Sequence, residues 1–219
     1  MISDRMAPPV VFIITGNKAE GKSSLASSLA TIIESRNFSV GGLVARGRWK
    51  QGRRSGFDLV VFGSDNPVPL ADAISPCEPA PDRFGYPYRS RKGPTVGRDN
   101  TNSGAEALTA GRFIFNPAAL EIGNSAIEDA MKEERDLIIV DEVGAAEIEG
   151  RLWAGALRRL LGAYRGVLLL ITARKNLTAV LTHFRIDPAG IFCTGTTTPE
   201  GAAAVISGHI NKCTENGKG

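Results

Sequence analysis

Short apolar runs, each closed by a polar or glycine-rich stretch, alternate along the chain with segments of helical spacing. Val10-Val11-Phe12-Ile13-Ile14 is apolar at every position, which predicts a strand buried on both faces and ending at Thr15. From Ser23 the apolar residues fall at Leu25, Leu29, Ile32 and Ile33, the spacing of one helix face. Residues 37–39 are a polar break, and Val40-Gly41-Gly42-Leu43-Val44-Ala45-Arg46 reads as a second strand. A basic turn over residues 48–56 leads to a third strand at Phe57-Asp58-Leu59-Val60-Val61-Phe62. Strand, turn and strand in succession imply a hairpin, an antiparallel ribbon beside a parallel sheet.

The pattern resumes at Phe113-Ile114-Phe115, a brief strand. Asn116-Pro117 then supplies a cap and a first-turn proline for a helix with Leu120, Ile127 and Met131 on one face. Leu137-Ile138-Ile139-Val140 is a buried strand that runs straight into Asp141-Glu142. A helix over residues 150–161, a strand at Val167-Leu168-Leu169-Leu170-Ile171, a short helix over 177–183, a strand over 190–193 and a helix over 198–210 complete the chain. This alternation predicts an α/β fold with a mostly parallel central sheet.

Between residues 64 and 112 the pattern fails. The segment is rich in proline and poor in apolar residues, with hints of helical turns only at Leu70-Ala71-Asp72-Ala73-Ile74 and Ala105-Glu106-Ala107-Leu108. It carries Arg83, Arg89, Arg91, Lys92 and Arg98 and reads as a long insert, either a solvated basic loop or a lid that closes over a ligand.

Chemistry enters after the first strand. Gly16-Asn17-Lys18-Ala19-Glu20-Gly21-Lys22-Ser23-Ser24 fits the phosphate-loop pattern G-x-x-x-x-G-K-[ST], and it lies between a strand and a helix as that pattern requires. Glycines at 16 and 21 let the backbone curl so that its N–H groups face a polyphosphate. Lys22 would reach the β- and γ-phosphates, Ser23 would hold Mg²⁺, and the helix N-terminus adds its positive dipole end. The plainer alternative is a glycine-rich surface turn.

The pair Asp141-Glu142 at a strand tip complements that loop. Asp141 is the candidate metal residue, and Glu142 the candidate that orients or deprotonates an attacking water. A solvated acidic turn is the alternative. Thr172 ends another apolar strand, where its hydroxyl could meet the γ-phosphate or simply close the strand. Arg174 and Lys175 follow it, and Arg174 is a candidate for neutralising transition-state charge in cis, with surface solvation as the other reading.

Composition narrows the rest. At 219 residues one domain spanning 1–219 is expected, and 42% hydrophobic with 22% charged residues describes a globular chain that is not a membrane protein. The formal net charge of +3 suits an anionic ligand but does not argue for a specific nucleic-acid partner, and nothing identifies a protein partner. Cys77, Cys193 and Cys213 lack metal-ligand spacing and read as reduced thiols of a cytoplasmic protein. The start MISDRMAPP carries two charges and no apolar core of a secretory signal. His183 and His209 have no partner in the sequence pattern and are expected to be structural.

Taken with the phosphate loop, two further stretches carry a family resemblance: Gly41-Gly42-Leu43-Val44 followed by Gly52-Arg53-Arg54-Ser55-Gly56-Phe57-Asp58, and Asp136-Leu137-Ile138-Ile139-Val140-Asp141-Glu142-Val143-Gly144 followed by Glu147. In these the chain resembles the THEP1-type nucleoside-triphosphatases. The resemblance runs from Val10 to about Thr172 apart from the insert. It implies a P-loop, RecA-like αβα sandwich with an antiparallel β-hairpin and a lid-like insert. It also implies Mg²⁺-dependent hydrolysis of nucleoside triphosphates such as ATP or GTP with little preference for the base. Carried over by position, it assigns phosphate binding to residues 16–24, metal and water handling to Asp141 and Glu142, and to the hairpin arginines only proximity to the site. The segment TARKNL after the last long strand and Cys193-Thr194-Gly195-Thr196 depart from the family pattern.

Two other functions use the same features. A small-molecule kinase would close the basic insert over an acceptor. A nucleotide-dependent adaptor, resembling the GTP-binding proteins of molybdenum-cofactor assembly, would use hairpin and insert as a partner surface.

Overall fold

The computed structural model of the chain describes residues 8–64, 66–74 and 108–216. In order these form β1 (Val10–Gly16), α1 (Lys22–Ser35), β2 (Val40–Lys50), β3 (Arg53–Val61), β4 (Val68–Ala73), β5 (Leu108–Ala110) and β6 (Phe113–Phe115). They continue as α2 (Pro117–Lys132), β7 (Leu137–Val140), α3 (Ala145–Ile148), α4 (Ala154–Ala163), β8 (Val167–Ala173), α5 (Leu177–Phe184), β9 (Gly190–Cys193) and α6 (Pro199–Asn216).

The described strands make one sheet in the order β5-β6-β4-β3-β2-β7-β8-β1-β9. From β2 through β7, β8 and β1 to β9 every pairing is parallel. From β2 outward through β3, β4, β6 and β5 every pairing is antiparallel. This is the α/β P-loop architecture expected from the sequence. Its antiparallel part is larger than one hairpin.

Strict alternation on the buried strands divides the core between two faces. Val11, Ile13, Ile138, Val140, Leu168 and Leu170 pack with α2, α4 and Val180 of α5. Phe12, Ile14, Ile139, Leu169 and Ile171 pack with α1 and with Ala202, Ala203, Ile206 and Ile210 of α6. Both faces of the parallel strands are covered, so these runs are continuously apolar. Buried strand ends bring β1, β7 and β8 to a common C-terminal edge, where open parallel sheets bind ligands.

Glycine is required where β2 meets β7. Gly42 has φ +91°, and a Cβ there would sit 2.1 Å from the carbonyl oxygen of Ile139. Helix α2 starts as expected, with the Asn116 side chain accepting from the N–H of Ala118 and Pro117 in the first turn.

Four local readings are corrected. The basic stretch over residues 48–56 is mostly ladder: β2 runs to Lys50, β3 starts at Arg53, and the turn is Gln51-Gly52 with φ +51° and +70°. Two successive left-handed residues make the tight turn whose twist matches the flanking strands. Residues 70–73 belong to strand β4, since pairing with β3 and β6 overrides the helical propensity of Leu70-Ala71-Asp72-Ala73. Leu108 opens strand β5, while Ala105, Glu106 and Ala107 lie outside the described residues. Finally, α4 begins only at Ala154, because Leu152 has φ +49° and the chain first makes the short α3. The insert cations Arg83, Arg89, Arg91, Lys92 and Arg98, and Cys77, also lie outside the described residues.

His209 stands edge-on to Phe12 and His183 edge-on to Phe184, which is packing. Among the described residues no helix is long and apolar enough to cross a membrane.

Candidate functional site

Residues 17–21 form the turn between β1 and α1, with Ala19 and Gly21 in left-handed conformation at φ +66° and +79°. No side chain caps α1, and its first turn holds no acidic residue. Its leading N–H groups and positive dipole end are therefore available to an anion. Lys22 Nζ donates to the carbonyl of Asn17 at 2.7 Å, which holds the amine across the loop. Glu20 braces the same turn, accepting from the Asn17 N–H at 2.7 Å, from Asn17 Nδ2 at 2.5 Å and from Thr194 Oγ1 at 3.0 Å. The Asn17 N–H, more than any other contact, holds the Glu20 carboxyl below its ordinary range. Lys18 and Ser24 line the open cavity in front of this turn, whose volume is about 780 Å³.

Helix α1 carries Ser23 to the tip of β7. Ser23 Oγ donates to Asp141 Oδ2 at 2.6 Å, joining positions 118 residues apart. The same oxygen accepts from the N–H of Ala45 at 3.1 Å, and Asp141 Oδ1 accepts from the N–H of Glu142 at 2.7 Å. Asp141 is 1% exposed. Burial, and then the neighbouring Glu142 carboxylate, push its carboxyl up to about 7 against the pull of its three hydrogen bonds.

A buried carboxylate bonded to a serine hydroxyl fits a hard divalent ion. The donor set is all oxygen. Among the described residues no group of three or more His, Cys, Asp or Glu gathers as a closed metal cage. The two oxygens of Ser23 and Asp141 are compatible with Mg²⁺, an ion commonly held by one or two protein oxygens together with water and phosphate.

Glu142 turns the other way. Its backbone is left-handed at φ +60°, a conformation costly for glutamate and typical of functional strand ends. Its side chain is 44% exposed, and Oε1 lies 3.8 Å from Arg54 Nη1 on the hairpin. Glu142, Arg54 and the aromatic residues Trp49, Phe57 and Phe113 line the cavity opposite the phosphate loop.

Two threonines finish the strand ends. Thr15 of β1 and Thr172 of β8 are register partners, both buried, and both hydroxyls lack a hydrogen-bond partner among the described residues. Unpartnered buried hydroxyls are rare and mark a place where a ligand or water belongs. Arg174 opens the turn after β8 and lines the cavity with Lys175 and Asn176. It shares that lining with Asn17, Lys18 and Lys22 of the phosphate loop.

The structure thus brings Lys22, Ser23, Glu142 and Arg174 around one cavity, with Asp141 buried behind Ser23. Sequence reasoning left Arg54 as merely near the site and gave no role to Ala45 or Thr15. Arg54 could have been found from a hairpin read in register, since two residues of turn between Lys50 and Arg53 put it beside Trp49 on the ladder. The other hairpin arginine, Arg48, pairs with Asp58 at 3.1 Å and Asp72 at 2.5 Å and clamps β2, β3 and β4 together.

A protein-family model described as NTPase matches residues 11–193. The nucleoside-triphosphatase THEP1 of Methanopyrus kandleri is 27% identical over 75% of this chain and 74% of its own length. That of Methanothermobacter thermautotrophicus is 28% identical over 80% of this chain and 86% of its own. Among solved structures, a human cancer-related nucleoside triphosphatase superposes with a TM-score of 0.56 at 20% identity, covering 96% of this chain and 98% of the other.

Proposed function

The chain belongs to the THEP1-type NTPase family, and from that premise we propose that it hydrolyses nucleoside triphosphates to diphosphate and phosphate, using Mg²⁺ and tolerating different bases. NTPase activity follows from the family. The observation that supports the finer reading is the meeting of the phosphate loop with Asp141 through Ser23, with Glu142 beside it on the open side of the cavity.

In this reading residues 16–24 cradle the phosphates through backbone N–H groups, and Lys22 leaves the Asn17 carbonyl to reach the β- and γ-phosphates. Ser23 and Asp141 would hold Mg²⁺, which when bound neutralises charge on the β- and γ-phosphate oxygens. Glu142 accepts a proton from water, the water oxygen bonds to the γ-phosphorus, and the bond to the β–γ bridging oxygen breaks. Nucleoside diphosphate and inorganic phosphate leave. Arg174 adds positive charge from the loop side. The whole chain acts as one domain, and the free thiols Cys193 and Cys213 suit a reducing cytoplasm. Base tolerance is supported by the relatives' name, which specifies no base.

Phosphate release from ATP, GTP, CTP and UTP, each with and without Mg²⁺, tests this. Release from several triphosphates, with Mg²⁺ and no second substrate, is expected. Turnover that requires an added acceptor would replace the reading with phosphotransfer, and no turnover in any condition would favour an adaptor.

A further inference from the structure

We propose that Arg54 is the positioning residue for Glu142: the β2–β3 hairpin packs its guanidinium against two aromatic rings and brings it to the carboxylate that handles water. This rests on the hydrolytic reading above.

The guanidinium carbon of Arg54 lies 5.0 Å from the ring centroid of Trp49 and 4.9 Å from that of Phe57. Room for it comes from Gly47 on the paired strand, where a Cβ would stand 2.9 Å from Arg54 Cζ. The side chain is 14% exposed, unusual for an arginine on a hairpin, while Trp49 remains 53% exposed. Arg112 Nη2 donates to the Arg54 carbonyl at 2.8 Å and steadies its backbone. The two rings and the Arg112 contact bring no negative charge to the guanidinium. The ion pair that is present reaches Glu142 at 3.8 Å, and Arg54 Nε is buried without a hydrogen-bond partner among the described residues. A long, costly side chain is thus frozen between two rings with its charged end turned toward the strand tip.

Glu142 needs such a partner. Half-exposed on a left-handed residue beside the buried Asp141, it carries its carboxylate on the cavity side, within 3.8 Å of Arg54 Nη1. A planar cation fixed on the cavity side keeps the Glu142 oxygens in the space in front of the phosphate loop. Lysine is not an equivalent, because a compact ammonium on a flexible stem lacks the planar, delocalised surface that packs against aromatic rings.

The test is a double-mutant cycle on steady-state hydrolysis of Mg²⁺–ATP with Arg54→Ala and Glu142→Gln, together with binding of a non-hydrolysable ATP analogue. Arg54→Ala is expected to lower kcat about 10- to 100-fold, with KM and analogue affinity changed less than about threefold. The double variant is expected to be no slower than Glu142→Gln alone, because the two residues act as one unit. Free guanidinium ion should restore part of the Arg54→Ala rate and none of the Glu142→Gln rate.

An unchanged kcat in Arg54→Ala, or a double variant slowed by the full product of the two single effects, would overturn the proposal. If Arg54→Ala fails to fold, Arg54→Lys decides on the same cycle, and parent-like kcat in that variant would overturn it. The hydrolytic reading fails separately: Glu142→Gln hydrolysing at the parent rate would remove Glu142 from the chemistry, whatever Arg54 does.

Discussion

Lys22, Asp141, Glu142 and Thr172 make different demands on the protein, and the differences can be measured. Among the described residues Lys22 has only a carbonyl partner, so Lys22→Ala should leave thermal stability nearly unchanged while weakening triphosphate binding and hydrolysis at least 100-fold, read by calorimetric titration and phosphate release. Thr172 has a buried hydroxyl with no partner among the described residues. Thr172→Val should therefore keep or slightly raise stability, since it removes an unsatisfied group, yet slow hydrolysis about tenfold if that hydroxyl serves phosphate or water. Parent-like turnover in Thr172→Val would make it a plain strand terminus.

Glu147 supplies a pH test at the same scale. It is fully buried, its Oε2 accepts from the N–H of Gly144 at 2.7 Å, and burial pushes its carboxyl up to about 7 from an ordinary 4.5. The folded state then binds a proton more tightly than the unfolded chain. Its favourable contribution is full below pH 4.5 and is lost as pH rises to about 7. Glu147→Gln lacks this dependence. The stability difference between parent and variant, from urea unfolding, should shift by about 3 kcal/mol against the parent across that window.

At the scale of elements, legibility followed how local the cause was. The buried strands β1, β7 and β8 and the helices α1 and α2 were visible because their apolar spacing and caps lie within each segment. The phosphate loop and the Asp141-Glu142 pair were visible for the same reason: each is a contiguous motif at a strand end. What escaped was set by pairing. Residues 70–73 have helical composition but are drafted into β4 by neighbours on both sides, and the hairpin arginines look like a basic turn until Gln51-Gly52 is seen to carry all of it. The same cause hid Arg54, whose meaning depends on Gly47 across the ladder and Glu142 across the sheet.

Two glycines of the β2–β3 hairpin, Gly42 on β2 and Gly52 in the turn, carry the element-level prediction. Gly42→Ala would force a Cβ into the Ile139 carbonyl at a left-handed position, and should destabilise the fold by about 2 to 4 kcal/mol in thermal or urea unfolding. Gly52→Ala, equally left-handed but with open space around it, should cost markedly less. Equal effects would mean that backbone conformation, not close approach to β7, explains Gly42.

For the whole molecule, the sheet order decides what can be close to what. With β8 between β1 and β7, the phosphate loop and the acidic strand tip are separated by one strand, enough for α1 to bring Ser23 onto Asp141 and leave Glu142 facing the cavity. The antiparallel extension adds a wall to that cavity with Trp49, Arg54 and Phe57. A triphosphate that bridges these parts should stabilise the folded chain by mass action, about 2.7 kcal/mol at 100 times its dissociation constant, and more with Mg²⁺ than without. A melting temperature that does not respond to triphosphate would contradict the assignment of the cavity.

The central claim is that this cavity hydrolyses triphosphate with Glu142 acting on water, and one comparison tests it most directly: single-turnover phosphate release from Mg²⁺–ATP by the parent and by Glu142→Gln, at saturating enzyme. The account predicts that both bind the nucleotide alike and that the variant releases phosphate about 10² to 10⁴ times more slowly. Equal rates in the two proteins would contradict it.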